Sequence, residues 1–314
     1  MLEVPIRDII CPDLINVSTL ERQSLKAWIK QGQNYHFTID ITDSTFTIST
    51  YDRTNFLKPI SSDINRFVRA SIETSSTNCG SEISPKSISW SLVKSYYSAF
   101  YAINAILRLF GISLSYLDRN HTNKIHQISD AYSHRKGVNL KRGLYALECN
   151  SHIAEISGTL LQSNNGGAHE LAWKQFLDLI GKIQVHIVSN YGSLYNSELG
   201  KLQELILNLT SSGLANGNWL SSIRNDINYQ QLHGVWFPYS VSNHDRIINI
   251  MKSWNQESMS IDLRSTDVNT LSKFTATCTF IVSFCISIVK DMQNRAGDNN
   301  SFHKYGYNQI LSQI

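Results

Sequence analysis

The stretch from residue 216 to residue 239, NGNWLSSIRNDINYQQLHGVWFPY, decides how the chain is read. Asn216, Gly217 and Asn218 form a turn suited to starting a helix, and Trp219, Leu220 and Ile223 give that helix an apolar first face. A dense polar group follows, Arg224, Asn225, Asp226 and Asn228, and then Tyr229. A helix advances about 100° per residue, so Arg224 and Asn228 share one face, with Asn225 and Tyr229 beside it. A guanidinium, two amides and a phenol are therefore expected on one patch. Gly234 and Pro238 then stop the helix.

Upstream, residues 87–111 (SISWSLVKSYYSAFYAINAILRLFG) place Leu92, Tyr96, Ala99, Phe100, Ile103, Ile106, Leu107 and Phe110 at helical spacing and end at a glycine. Tyr96, Tyr97, Phe100 and Tyr101 are expected as core and interface aromatics. Further helices are predicted over 169–190, 194–211, 216–232, 243–254 and 268–293, so the signal is helical almost throughout from residue 81 to residue 314. Residues 1–80 differ. There, 18–31 is a short amphipathic helix capped by Ser18 or Thr19, with Leu20, Leu25, Trp28 and Ile29 as its stripe. Residues 35–52 alternate as a β-hairpin, Phe37, Ile39 and Ile41 against Phe46 and Ile48, with a turn at Thr42, Asp43 and Ser44. A short helix over 61–73 precedes a break at 75–87 that contains Gly80 and Pro85. The predicted organisation is a mainly α chain with a small N-terminal α+β region, 1–80, and a helical domain with a C-terminal helical extension, 81–314.

At 314 residues, 42% hydrophobic and 17% charged, the chain has the composition of a globular protein. Five dispersed cysteines without a CxxC spacing point to reduced thiols in a cytoplasm, and no secretory signal opens the sequence. The most apolar run, 276–289, is shorter than the roughly 20 residues a bilayer requires, so a buried core helix is expected and no membrane partner.

The tyrosine- and alanine-rich 87–111 helix, followed by the Arg224-Asn225 helix, resembles HEPN domains, helical modules of prokaryotic toxin and defence proteins and of some eukaryotic RNases. The resemblance spans roughly residues 85–240, with a long interval between the two helices. It implies a helical bundle that pairs as a homodimer, with two Arg-and-His motifs meeting in a cleft that cleaves RNA without a metal ion or other cofactor. Arg224 and Asn225 match the first two motif positions. The histidine does not carry over: four, five or six intervening residues lead to Tyr229, Gln230 or Gln231.

That substitution matters chemically. Cleavage of RNA by its own 2′-hydroxyl needs a proton removed, a proton returned, and charge neutralised on the phosphate. Arginine suits the last task and an imidazole the first two. A tyrosine of pKa about 10 is only about a thousandth ionised at neutral pH. His233, nine positions beyond Arg224, lies about 180° away on a continuous helix and approaches only if the helix breaks before Gly234 or a partner chain supplies it. Two roles follow for Arg224, Asn225, Asn228, Tyr229 and His233. Either they form the catalytic site of an endoribonuclease effector in a defence or toxin–antitoxin system, or they belong to a lapsed module that binds RNA or a neighbouring partner protein such as an antitoxin. A structural role for Arg224 stands beside both.

Residues 119–142 carry Arg119, Lys124, Arg135, Lys136, Lys141 and Arg142 against the single acid Asp130, a local charge of +5 that exceeds the +3 of the whole chain. This segment is the candidate RNA-backbone contact. Its histidines, His121, His126 and His134, lack zinc-enzyme spacing, and neither a P-loop nor a GxSxG element occurs.

Overall fold

The computed structural model describes residues 2–17, 23–78, 87–150, 152–162, 167–241, 243–264 and 269–312. The first helix, α1 (Leu25–Gln31), starts at Ser24, whose hydroxyl accepts the Ala27 N–H, and ends at Gly32 with φ +69°. The expected caps, Ser18 and Thr19, lie outside the described residues. Leu25, Trp28 and Ile29 are buried as the stripe requires.

Only one arm of the expected hairpin is a strand, β1 (Thr45–Ser49). The preceding arm makes a single antiparallel bridge, His36 to Ser49. The reason lies in competition for its backbone: the Ile41 N–H donates to the His134 carbonyl at 2.9 Å. Phe37 and Ile41 are buried, but Ile39 is 53% exposed, so the alternation does not hold across the arm. The turn forms as expected, with the Thr42 N–H donating to the Thr45 carbonyl.

The next helix, α2 (Thr54–Thr77), is longer than the predicted 61–73 because it runs through Pro59. A proline inside a helix removes one backbone bond, yet Phe56, Leu57, Pro59 and Ile60 are all buried here, and that burial offsets the loss. The predicted boundary residues, Gly80 and Pro85, lie outside the described residues. Elements on its two sides share one core: α2 lies along α3 (Ser89–Leu109), where Ser71 Oγ donates to the Ser98 carbonyl at 2.9 Å and Asn78 Nδ2 to the Ser91 carbonyl at 2.8 Å.

Between α3 and residue 160 the all-helical expectation fails. β2 (Ile112–Leu117), α4 (Arg119–Ala131), β3 (Gly143–Asn150) and β4 (Glu155–Leu160) follow in turn. The sheet is antiparallel, in the order β1-β4-β3-β2. The N-terminal strand is therefore paired with residues more than a hundred positions later, as in Phe46 opposite Gly158. A Cβ on Gly158 would stand 2.3 Å from Phe46 Cε1, and Phe46 is 2% exposed and cannot swing out. Gly158→Val is expected to lower stability by about 1–3 kcal/mol through overpacking, read as a lower urea midpoint. An unchanged midpoint would contradict this account of the sheet.

The remaining helices are α5 (Ala168–Tyr191), α6 (Asn196–Leu209), α7 (Trp219–Asn228), α8 (His244–Lys252), α9 (Thr270–Arg295), α10 (Ser301–Tyr305) and α11 (Tyr307–Leu311). Asn269 caps α9 by accepting the Leu271 and Ser272 N–H groups. By length and composition α9 is long enough to span a bilayer, beyond the apolar run seen in sequence, but 89% of its most apolar window is buried inside the fold. It is the central helix of the core, packed on α3 and α8. The C-terminal end is tied to the N-terminal segment by Ser301 N–H to the Val17 carbonyl, 2.9 Å. The fold is mainly α with one small antiparallel sheet. Cys149, Cys278 and Cys285 form no disulfide among the described residues; Cys79 lies outside the described residues.

Candidate functional site

Two clusters of functional side chains emerge, one where α3, α5 and α7 meet and one around α4. In the first, Trp219, Leu220, Ile223 and Ile227 turn α7 toward the core, and Arg224 goes in with them. Arg224 is only 7% exposed. Its guanidinium carbon lies 4.9 Å from the ring centre of Tyr96, 5.8 Å from that of Tyr97 and 5.9 Å from that of Tyr229. Arg224 Nε is buried without a hydrogen-bond partner, and no carboxylate is within ion-pair distance among the described residues. Aromatic faces return about 2 kcal/mol to a desolvated cation, against a desolvation penalty of several kcal/mol per ion. Arg224 is thus a buried charge only partly compensated by its own fold.

Tyr96 is the hub of this cluster. It is fully buried, and its hydroxyl accepts the Trp173 Nε1–H at 3.1 Å, lies 2.8 Å from His169 Nδ1 and donates to Ser221 Oγ at 3.3 Å. Burial pushes its phenol above the ordinary range, while Ser221, Trp173 and Arg224 act in the opposite direction. His169, near the start of α5, stacks on Phe100 with ring centres 4.2 Å apart. Burial, and after it the Arg224 charge, lowers its pKa below the ordinary imidazole value. Both causes favour the neutral imidazole.

The patch expected on one face of α7 divides. Arg224 and Tyr229 stay together, but Tyr229 is 72% exposed and covers the arginine from outside. Asn225 is exposed and its carbonyl accepts the Tyr229 N–H; Asn228 is half-buried. The helix does break before Gly234: α7 ends at Asn228, and Gln231 and His233 beyond it take positive φ. His233 nonetheless lies 3.8 Å from Asp226 rather than beside Arg224.

The second cluster is a cup of about 650 Å³ lined by Arg119, Thr122, Asn123, His126, Arg135, Asn139, Leu140, Lys141, Arg142 and Leu160. Asp118 caps α4 through the Asn120 and His121 N–H groups, and the loop after α4 folds back over it. His126 Nε2 accepts the Leu140 N–H at 2.8 Å. Arg135 pins the loop, donating to Asp130, Asn139 and the Val138 carbonyl. Lys136 pairs with Asp40 and Lys141 with Asp43. Those two acids come from the N-terminal region, so the +5 counted along the segment is partly cancelled in space. Lys124 bonds to Gln127 and lies outside the cup. The Arg119 and Arg142 side chains are exposed and have no ion-pair or hydrogen-bond partner among the described residues. Both guanidiniums stand on a concave wall, and their forked donors have the geometry that fits phosphate oxygens.

His169, Tyr96 and Trp173 as one hydrogen-bonded group, and Asp40 and Asp43 as partners of the basic loop, were not legible from spacing. They are joined across 73 or more positions of sequence. No set of three or more His, Cys, Asp or Glu placed to hold a metal ion occurs among the described residues. The chain matches no protein-family model, no curated protein and no solved structure.

Proposed function

We propose that this chain is an RNA-directed, HEPN-like module of a prokaryotic defence or toxin–antitoxin system, acting in the cytoplasm and holding the RNA backbone in the cup beside α4. The observation that carries the reading is the pair Arg119 and Arg142. Their side chains line the cup without a protein partner among the described residues, while the neighbouring bases are spent on holding the loop. Supporting the HEPN-like part is the packing of the tyrosine-bearing α3 on the arginine-bearing α7, with Arg224 over Tyr96. Tyr229 in the motif's histidine position favours the binding role of α7 over cleavage by α7 alone. Pairing with a second copy, and docking of a neighbouring antitoxin or defence protein, belong to the same proposal.

Anisotropy titrations of a labelled single-stranded RNA over a series of salt concentrations test it. Each phosphate neutralised contributes a slope of about −0.7 in log K against log salt on a single strand. A total slope of about −2 or steeper is expected. A flat dependence, or no binding at low salt, would remove the proposal.

A further inference from the structure

Resting on that RNA-directed reading, we infer that a slot at the C-terminal end of α4, walled by Tyr51, His36 and Tyr132, takes an unpaired nucleobase of the strand whose backbone lies in the cup. The slot is a depression of about 210 Å³. Sites for whole drug-sized ligands begin at roughly 300 Å³, so this one has room for a single flat ring system.

The rings are already arranged for stacking. Tyr51 is 92% exposed and lies on His36 with ring centres 4.5 Å apart and planes 17° from parallel. No other ring lies against Tyr51 among the described residues, so its outer face is open. Tyr132, the C-cap of α4, is 47% exposed and stands 5.9 Å from the His36 ring. The backbone holds this platform in place before any ligand arrives. His36 exchanges both of its backbone hydrogen bonds with Ser49, at 2.9 and 3.0 Å, and the Thr50 N–H donates to the Ala154 carbonyl at 3.0 Å. A ligand that stacks here does not have to order the residues that receive it.

The edges of the slot suit a base and not a phosphate. The amides of Gln33, Asn34 and Asn55 line it and make no side-chain hydrogen bond among the described residues. Each amide offers both donors and an acceptor, which is what the edge of an unstacked base presents in return. His36 Nδ1 is buried beside them without a hydrogen-bond partner. No Lys or Arg belongs to the lining, whereas Asp52 does. Its carboxylate accepts from the Thr54 hydroxyl and N–H, and those bonds hold its pKa below the ordinary value, so it is an anion at neutral pH. An anion repels phosphate and accepts from the amino groups of bases. Cup and slot thus divide the work along one helix. Arg119, in the cup, opens α4, and Tyr132 closes it about 20 Å further on, a distance that a short single strand spans.

The full chain is titrated with a labelled single-stranded RNA of mixed sequence over a salt series. It is titrated separately with cytidine, which carries no phosphate, followed by saturation-transfer NMR. Tyr51→Ala is expected to bind RNA about 5- to 100-fold more weakly and to keep the wild-type salt slope, because no phosphate contact is lost. Tyr51→Phe keeps the ring and is expected to stay within about twofold of wild type, and both variants to keep the thermal midpoint, since the side chain is exposed. Cytidine is expected to show saturation transfer on its base protons with wild type and none with Tyr51→Ala. RNA affinity of Tyr51→Ala within about twofold of wild type, an equal loss in Tyr51→Phe, or a loss accompanied by a shallower salt slope would each overturn the base slot. A cytidine signal absent from wild type, or unchanged in Tyr51→Ala, would overturn it as well. Salt-dependent RNA binding that ignores Tyr51 removes the slot and leaves the cup. A Tyr51-dependent cytidine signal from a chain that binds no RNA removes the cup and leaves the slot as a nucleobase site.

Discussion

An Arg119→Ala/Arg142→Ala variant is expected to bind single-stranded RNA about 10- to 100-fold more weakly than wild type, with a salt slope shallower by about 1.4, or about 0.7 for each phosphate no longer neutralised. A hydrogen bond to a charged group is worth about 1.5–3 kcal/mol when dry; both guanidiniums are exposed, which brings the expected loss toward the lower end. These two positions isolate the interface because neither side chain has a partner in the fold among the described residues. Arg135→Ala would not serve, since Arg135 makes three hydrogen bonds that hold the loop over α4. Lys136→Ala is the matched control: it removes a positive charge that is paired with Asp40 and lies outside the cup. Its affinity is expected to stay within about twofold, the scale of an exposed pair worth about 0–1 kcal/mol. A double variant with the wild-type slope would place the RNA-binding surface elsewhere.

Replacing Trp173 by alanine is expected to cost about 3–5 kcal/mol, the range for truncating a buried Trp or Phe. Trp173 is fully buried, and its ring lies 5.9 Å from Tyr96, 6.3 Å from Phe100 and 6.2 Å from Phe176. The cavity would open at the junction of α3 and α5, beneath the residues that hold His169. Trp173→Phe keeps much of the volume and removes only the indole donor to Tyr96, so it is expected to cost less, with about 1 kcal/mol of the loss assigned to the hydrogen bond. Urea unfolding followed by far-UV circular dichroism separates the two variants. A loss under about 1 kcal/mol in Trp173→Ala would mean that this junction is not the packed hub described above.

The long periodic segments were legible without coordinates. The helices containing Tyr96, Trp173, Arg224 and Phe280 appear within a few residues of where apolar spacing and glycine stops place them, because each buries a stripe long enough to register at a period of 3.6. The strands after residue 112 were lost in that signal. Ser113 and Ser115 are buried in β2 alongside Ile112 and Leu114, so no polar-out alternation marks the strand. The hairpin was half-legible: its turn and second arm follow from local chemistry, but its first arm gives a backbone bond to His134 from a different part of the chain.

The functional groups divide in the same way. Residue order alone determined that an arginine and a tyrosine stand on one short helix, that no histidine occupies the spacing after them, and that bases crowd residues 119–142. Those are properties of neighbours in the chain, and helical geometry converts them directly into neighbours in space. Tertiary structure decided the rest. It turned Arg224 inward under Tyr229, brought His169 to Tyr96, and let Asp40 and Asp43 neutralise two lysines while Arg119 and Arg142 stayed open. Each of these depends on which distant elements share a core and how a charge is partnered once water is displaced, and local periodicity carries no information about either.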